Sequence, residues 1–283
     1  MPAVGQKQTW KSVNAMTALP PLADNRATLP FDADPPPFAA NPKVVVYPPY
    51  LADLYKSPTH RNHVMTTILY GHPFASFVWK PLIALYERDV MFTFRMVDPD
   101  HPENQARIAE LSPTGQFPAL IDGSMEIAQS NAIIEYLDLF HGEAAPMVPN
   151  NPREAIEARM MADVFDDYVQ TPMQRIVGDA LRPQGDKDPR GVADAQATLD
   201  RCYMWLDRRV QEREWAACGR FTIADCAAAP ALFYSDWAHP IPNSHSALKA
   251  YRARLLSRPS VARVVDEARP YRSFFPLGAP DRD

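Results

Sequence analysis

Residues 114–136 read TGQFPALIDGSMEIAQSNAIIEY, and this stretch points to the fold more strongly than any other. Pro118 has no N–H for a strand ladder, so it fits the first residue of a strand or an edge position. The bond before a proline adopts cis at modest cost, and a cis bond would turn the carbonyl and amide of Phe117 outward toward a ligand. The segment 118–121 is therefore predicted to be a strand that begins beside a binding site.

A hairpin and a helix follow in the same stretch. Asp122-Gly123 lies between two short apolar runs, which is a strong signal for a two-residue hairpin turn. Ser130 stands where an N-cap is expected, before an amphipathic helix over 131–140. A helix start presents free N–H groups and a partial positive charge, which suits a carboxylate. Together these pieces predict a receptor for the two ends of a small peptide.

Alternating strands and helices surround this unit, and helices alone follow it. The patterns predict strands at 66–70, 91–97, 118–121 and 125–128, and helices at 78–87, 103–111 and 131–140. After a loop at 141–151, helical patterns cover 152–181, 192–215, 223–237, 246–256 and 259–268. The order predicts an α/β thioredoxin-like domain over 64–142, an all-helical bundle domain over 152–270 and a tail over 271–283.

Composition agrees with two packed domains and excludes several classes of protein. The chain has 283 residues, of which 46% are hydrophobic, and a net charge of −5. A net negative charge does not indicate a nucleic-acid-binding protein, and no apolar run is long enough to span a membrane. Only three cysteines occur, Cys202, Cys218 and Cys226, without metal-ligand spacing. We expect no metal, reduced buried thiols and a cytoplasmic protein without a secretory signal.

The first 63 residues differ from the rest. They contain 11 of the 30 prolines of the chain, with runs such as Pro35-Pro36-Pro37 that favour extended backbone. We interpret 1–63 as a mostly irregular extension that lies on the folded body. An arm that straps a dimer or covers a site is the alternative.

Three motifs in this order resemble the glutathione transferase family. They are TTILYGHPFASFVWKPLIALYE at 66–87, the stretch at 114–136, and GRFTIADCAAAPALFYSDW at 219–237. The resemblance covers roughly 64–270 and is closest to the cytosolic, bacterial-like members of serine type. It implies a thioredoxin-like glutathione-binding domain, a helical second domain, glutathione as co-substrate and a homodimer.

The absence of cysteine before Cys202 excludes dithiol exchange in the first domain. In serine-type members of the resembled family a serine hydroxyl stabilises the glutathione thiolate, and Ser76 aligns with it. A positioned O–H donor favours the thiolate over a thiol whose pKa is about 8.5 when free. Ser76 is therefore the predicted catalytic residue. Tyr70, near the end of the first strand, is the alternative donor.

The resemblance also implies the binding residues for glutathione. Ser130 and Gln129 would hold the γ-glutamyl carboxylate, Phe117 and Pro118 would pair with the cysteinyl unit, and Gln116 would reach the glycine end. The second substrate, a small apolar electrophile, would lie between the domains. Its predicted wall consists of Phe74, Phe77, Tyr168, Met173 and Phe233.

Thr222 and Asp225 form a separate motif. A threonine followed three residues later by an acid, before an apolar run, predicts a capping box at the start of a helix. Its predicted role is structural, because the first turn of a buried helix must satisfy its free N–H groups.

Two functions follow from the sequence. One is an enzyme that activates the glutathione thiolate for attack on an apolar electrophile, or for isomerisation, dehalogenation or peroxide reduction. The other is a non-catalytic glutathione-binding or scaffold protein of the same fold, which uses the N-terminal arm to contact a partner. Neither involves nucleic acid or a membrane.

Overall fold

A computed structural model describes residues 67–283. The predicted extension at 1–63 lies outside these described residues. The first domain contains four strands and three helices: β1 (Ile68–Gly71), α1 (Ser76–Glu87), β2 (Thr93–Met96), α2 (Pro102–Leu111), β3 (Ala119–Asp122), β4 (Met125–Ala128) and α3 (Ser130–Phe140).

The four strands form one mixed sheet in the order β2-β1-β3-β4. Strands β1 and β2 are parallel, with Ile68 opposite Thr93, whereas β1 and β3 are antiparallel, with Ile68 opposite Ile121. The parallel pair is joined through α1, as a crossover connection requires. This βαβ-α-ββα order is the predicted thioredoxin-like arrangement, so the fold class is confirmed.

The β3–β4 hairpin is present, but its turn is one residue later than predicted. Asp122 is the last residue of β3 and pairs with Met125, so Gly123 and Ser124 form the loop. Gly123 has a φ of 59°. A two-residue hairpin loop needs positive φ at its first position, and glycine adopts it without steric cost.

The second domain is entirely helical among the described residues. Its helices are α4 (Pro152–Phe165), α5 (Thr171–Leu181), α6 (Pro189–Val210), α7 (Ile223–Ala238), α8 (Ser246–Ser257) and α9 (Pro259–Ala268). A π-helical segment, Asp166–Gln170, joins α4 to α5, and short 3₁₀ turns cover Gln184–Asp186 and Arg269–Phe274.

Several helix boundaries correct the sequence expectations. The continuous helix expected over 152–181 is interrupted by the π-helical segment, in which one turn contains an extra residue. Helix α1 begins at Ser76, two residues before its predicted start, so Pro81 lies at its sixth position. The helix tolerates this proline at the cost of one backbone hydrogen bond to the carbonyl of Phe77.

The residues that were expected to form a tail are bound to the helical domain. The Asp283 carboxylate accepts hydrogen bonds from Arg269 at 2.6 Å and from Arg272 at 3.0 Å, and Phe275 is buried. The Phe275 ring lies 5.3 Å from that of Trp237 on α7, and Arg282 donates to the Asp236 carboxylate of the same helix, so the end of the chain is part of the folded body.

Two apolar cores hold the structure together. The smaller lies on the α2 side of the sheet and contains Tyr70, Val97, Ile108 and Ala119. The larger runs from the other side of the sheet through α1 and α3 into the helical domain. Trp79 of α1 is fully buried at this junction, with its ring 4.9 Å from that of Phe233. This shared core fixes the start of α1 against the second domain.

No helix in the range 67–283 is both long enough and apolar enough to cross a membrane.

Candidate functional site

A cavity of about 250 Å³ opens where the first domain meets α5. It is lined by three separate stretches of the first domain and one residue of the second: Ala75, Ser76, Phe77, Gln116, Phe117, Pro118, Gln129, Ser130 and Gln174. The structure thus brings together all six residues predicted to bind glutathione or activate its sulfur. Within 67–283, none of the lining side chains carries a charge.

Ser76 lies at the start of α1. It is the first helical residue, and Ala75 occupies the N-cap position without a side-chain hydrogen bond, so Ser76 is not an N-cap itself. Ser76 is 3% exposed, and its Oγ accepts a hydrogen bond from Nε2 of Gln170 at 2.5 Å. A buried hydroxyl at the wall of a cavity can still donate its own proton to a ligand atom.

The stretch before β3 forms the second wall. The Phe117-Pro118 peptide bond is cis, and Pro118 immediately precedes the first residue of β3. The backbone N–H of Gln116 donates to Ser112 Oγ at 3.2 Å, which orders the loop that leads into the cavity.

The start of α3 forms the third wall. Gln129 occupies the N-cap with a φ of 74°, and Ser130 is the first residue of the helix. This corrects the expectation that Ser130 is the N-cap. The first backbone bond of α3 joins the Ile133 N–H to the Gln129 carbonyl, so the N–H groups of the first turn remain available to an anion. Positive φ is uncommon for a residue other than glycine and is concentrated at binding sites.

Gln174 is a lining residue that the sequence did not reveal. It lies on α5, four residues after Gln170, so the second domain presents two glutamines toward the start of α1. The spacing of four is the only signal for this pair in the sequence, and many exposed helices show it.

An ion pair between buried Lys80 and partly buried Asp166 lies next to the cavity. Lys80 Nζ, one turn after Ser76, donates to Asp166 Oδ2 at 2.5 Å, and Asn131 Nδ2 donates to the same oxygen at 3.3 Å. Burial lowers the pKa of Lys80, and Asp166 opposes this shift; burial likewise raises the pKa of Asp166 against the influence of Lys80. Asp166 and Gln170 are the two ends of the π-helical segment, which therefore contacts both α1 and α3.

Of the five residues predicted to form the electrophile wall, only Phe77 lines this cavity. Phe233 and Met173 are 3% exposed and belong to the large core. Phe74 packs edge-to-face on Tyr234, which donates a hydrogen bond to the Phe74 carbonyl, and Tyr168 is largely exposed on the π-helical segment. Aromatic residues and methionine at helical spacing mark a core more often than a ligand site, and Phe233 and Met173 are core residues here.

Tyr70, the alternative donor, does not line the cavity. Its ring is buried in the small core beside Ile108, on the α2 side of the sheet. Of the two hydroxyl residues predicted to contact the thiolate, only Ser76 lines the cavity.

The other predicted features lie outside the cavity. Thr222 and Asp225 form a capping box at the start of α7. Cys202 and Cys226 are buried and Cys218 is half-buried, and all three are free thiols. Among the described residues, no group of three or more histidine, cysteine, aspartate or glutamate side chains is placed to hold a metal ion.

Comparison with known proteins agrees with this geometry. Residues 65–139 match the N-terminal domain of glutathione S-transferase, and residues 179–254 match its C-terminal domain. The chain belongs to the glutathione transferase family. The first match includes β1, α1 and the whole three-walled cavity of the first domain, and the second ends in α8.

The relatives are distant and differ in their names. A probable maleylacetoacetate isomerase from Vibrio cholerae is 25% identical over 73% of this chain and 99% of its own length. FtsZ-localized protein A from Caulobacter vibrioides is 24% identical over 59% of this chain and 78% of its own length. A glutathione S-transferase from Methylobacillus flagellatus, crystallised with glutathione bound, shares the fold with a TM-score of 0.63 and 22% identity, over 70% of this chain and 98% of that one.

Proposed function

We propose that this protein is a glutathione transferase that binds glutathione in the cavity and uses Ser76 to stabilise its thiolate. The observation that carries the proposal is the meeting of Ser76, the cis Phe117-Pro118 bond and Ser130 around one cavity. These residues are up to 54 positions apart in the sequence. Each belongs to a separate motif, and each motif was predicted to bind a different part of glutathione.

The chemical groups of glutathione match the donors and acceptors of the cavity walls. Its γ-glutamyl carboxylate would lie at the start of α3, against the Ser130 hydroxyl and the free N–H groups of the first turn. Its cysteinyl backbone would pair with Phe117, and Gln116 and Gln129 would supply amide contacts. Because no charged side chain of residues 67–283 lines the cavity, both carboxylates of the tripeptide would rely on N–H and hydroxyl donors.

The reaction is the attack of the thiolate on an electrophile. Donation of the Ser76 proton into a hydrogen bond with the sulfur favours the anion, and each unit by which the thiol pKa falls corresponds to about 1.4 kcal/mol. In transfer to an aryl halide, a C–S bond forms and the halide leaves with its electron pair. The electrophile is an apolar molecule, which Phe77 would contact. A cytoplasmic homodimer remains part of the proposal.

Turnover with Ser76→Ala tests the proposal. We expect kcat/KM to fall about 100-fold, as for the loss of one donor to a developing anion. The assay uses glutathione with a panel of aryl halides, epoxides, hydroperoxides and a cis-unsaturated diketo acid. Ser124→Ala, in the exposed hairpin loop, is the matched control and should retain parental turnover. Equal turnover by Ser76→Ala and the parent would contradict the role of Ser76.

A glutathione-binding scaffold is the second candidate. It is favoured by the absence of four predicted wall residues from the cavity and by exposed apolar side chains on neighbouring helices, Leu139 on α3 and Ile156 on α4. A relative named for its localisation with FtsZ shows that family members carry names other than those of enzymes. Retention on immobilised glutathione without turnover of any substrate in the panel would support this candidate over the enzyme.

A further inference from the structure

The contact between Gln170 and Ser76 joins the two domains at the proposed reaction centre. Gln170 Nε2 donates to Ser76 Oγ at 2.5 Å across 94 residues of sequence. Both side chains are almost completely buried, at 2% and 3% exposure. Within residues 67–283, the other amide atom, Gln170 Oε1, is buried without a hydrogen-bond partner.

The direction of this hydrogen bond determines what Ser76 can do. A hydroxyl has one proton to donate and two lone pairs that accept. Because the Gln170 NH₂ group is a donor, it occupies a lone pair of Ser76 Oγ and leaves the hydroxyl proton free for another acceptor. A hydroxyl that accepts one hydrogen bond is polarised and donates a stronger second one.

The position of Gln170 depends on the π-helical segment. Asp166, at its start, binds Lys80 of α1 and Asn131 of α3, whereas Gln170, at its end, reaches Ser76. The extra residue in the π turn places α5 in a different angular register from a continuous α-helix through α4. The segment is thus fixed to both helix starts that line the cavity.

We propose that Gln170 is a positioning residue that holds the Ser76 hydroxyl with its proton directed toward the sulfur of bound glutathione. The proposal rests on the proposed function and adds to it a contribution from the second domain. Gln170 acts through Ser76 and does not itself need to touch the ligand. Lys80 and Asp166, the ion pair beside the cavity, remain unchanged in every variant of the test.

The test is a pH titration of glutathione bound to the full-length protein, followed by thiolate absorbance in the ultraviolet. In the parent protein we expect the thiol pKa below the value of about 8.5 for a free thiol. Gln170→Met removes the amide at similar length, and we expect it to raise the bound thiol pKa by about one unit, a tenfold loss of thiolate near neutral pH. Gln196→Met, on α6 and outside the cavity, is the matched control and should titrate like the parent.

A double variant separates positioning from a general disturbance. If Gln170 acts through Ser76, Gln170→Met should cause no further shift in a Ser76→Ala background. An equal shift in both backgrounds, or a parental pKa in Gln170→Met, would overturn the proposal. Gln170→Asn, which withdraws the amide by one methylene, provides the same comparison if the methionine variant does not fold. A parental thiol pKa equal to that of free glutathione would instead refute the proposed function.

Discussion

Two buried polar networks in this protein differ in how completely their hydrogen bonds are satisfied. At the start of α7, Asp225 Oδ1 accepts from the Ala216 N–H at 3.0 Å and from the Tyr251 hydroxyl at 2.6 Å, while Oδ2 accepts from the Thr222 N–H at 2.9 Å. Beside the cavity, within residues 67–283, Asn131 Oδ1 and Gln170 Oε1 are buried without a partner.

The difference separates what the two networks do. Native structures satisfy nearly all buried polar groups, because each one that lacks a partner costs free energy. The network around Asp225 is complete and closes the first turn of a fully buried helix, so its role is stability. The network around Asp166 and Gln170, which lies beside the cavity, is incomplete, and incomplete polar networks are more often found at functional sites.

Asp225→Ala should lower stability more than the other changes, and it tests the difference between the two networks most directly. It leaves the Thr222 N–H, the Ala216 N–H and the Tyr251 hydroxyl buried without an acceptor, and we expect the free energy of unfolding to fall by about 4 kcal/mol. Urea unfolding measures this change. The exposed Asp194→Ala on α6 is the control. Stability equal to the parent would show that the complete network is dispensable, and any Asp225→Ala protein that folds should retain glutathione turnover.

Lys80→Met should have the next largest effect. It leaves the Asp166 carboxylate, which is 16% exposed, without its cation, and we expect a loss of about 2 kcal/mol in the free energy of unfolding. Replacing both partners, Lys80→Met with Asp166→Asn, should restore at least half of that loss, since the buried charge is gone. Arg159→Met breaks an exposed pair with Glu135 and should cost less than about 1 kcal/mol. If the double variant is no more stable than Lys80→Met, the pair is not an isolated electrostatic unit.

The two networks also differ in how far the sequence predicts them. Thr222 and Asp225 are three residues apart, so their capping box follows from local helix chemistry and is visible in the sequence. The hairpin and the strand that follows Pro118 are local in the same way. The strand begins one residue later than predicted, and the turn is shifted because Gly123, not Asp122, adopts the positive φ. Local signals thus gave the elements of the first domain and three walls of the cavity.

Contacts between the domains could not be predicted. Gln170 and Ser76 are 94 residues apart, and Lys80 and Asp166 are 86 apart. Their meeting depends on the π-helical segment, which lies inside an apparently continuous helical pattern. The position of Phe233 was hidden in the sequence for a related reason: it has the spacing of a lining residue, but it packs against Trp79 in the core between the domains.

Ser130→Ala should have a moderate effect on glutathione affinity and little effect on stability. The hydroxyl is lost while the free N–H groups of α3 remain, so we expect glutathione affinity to fall about tenfold, corresponding to one hydrogen bond to a charged group. Isothermal titration calorimetry with glutathione measures this change. Unfolding should shift by less than about 1 kcal/mol, because Ser130 is not the N-cap and caps no helix. An unchanged affinity would argue that the carboxylate binds elsewhere.

Protonation of His72 should have the smallest effect on stability, and this effect depends on pH. Its ring lies 4.6 Å from Tyr271, and its Nδ1 accepts a hydrogen bond from the Phe74 N–H at 3.1 Å, which requires Nδ1 to be unprotonated. Burial lowers the pKa of His72 below its usual 6.5, against the influence of Asp98. The folded state therefore binds this proton less readily than the unfolded state. The contribution of neutral His72 to stability is present above pH 6.5 and is lost as pH falls through 6.5 toward the folded pKa.

His72→Asn keeps an acceptor for the Phe74 N–H but cannot titrate, so it isolates this proton. Between pH 7.5 and pH 5.5, we expect the Tm of the parent to fall relative to the variant by less than about 2 °C. His101→Asn should change the pH dependence of stability in the opposite direction. A hydrogen bond with Asp98 raises the pKa of His101, so its contribution to stability is present at low pH and is lost as pH rises through the folded pKa. A Tm difference between parent and His72→Asn that stays constant over this range would show that the strand-to-helix loop before Ser76 does not depend on a neutral imidazole.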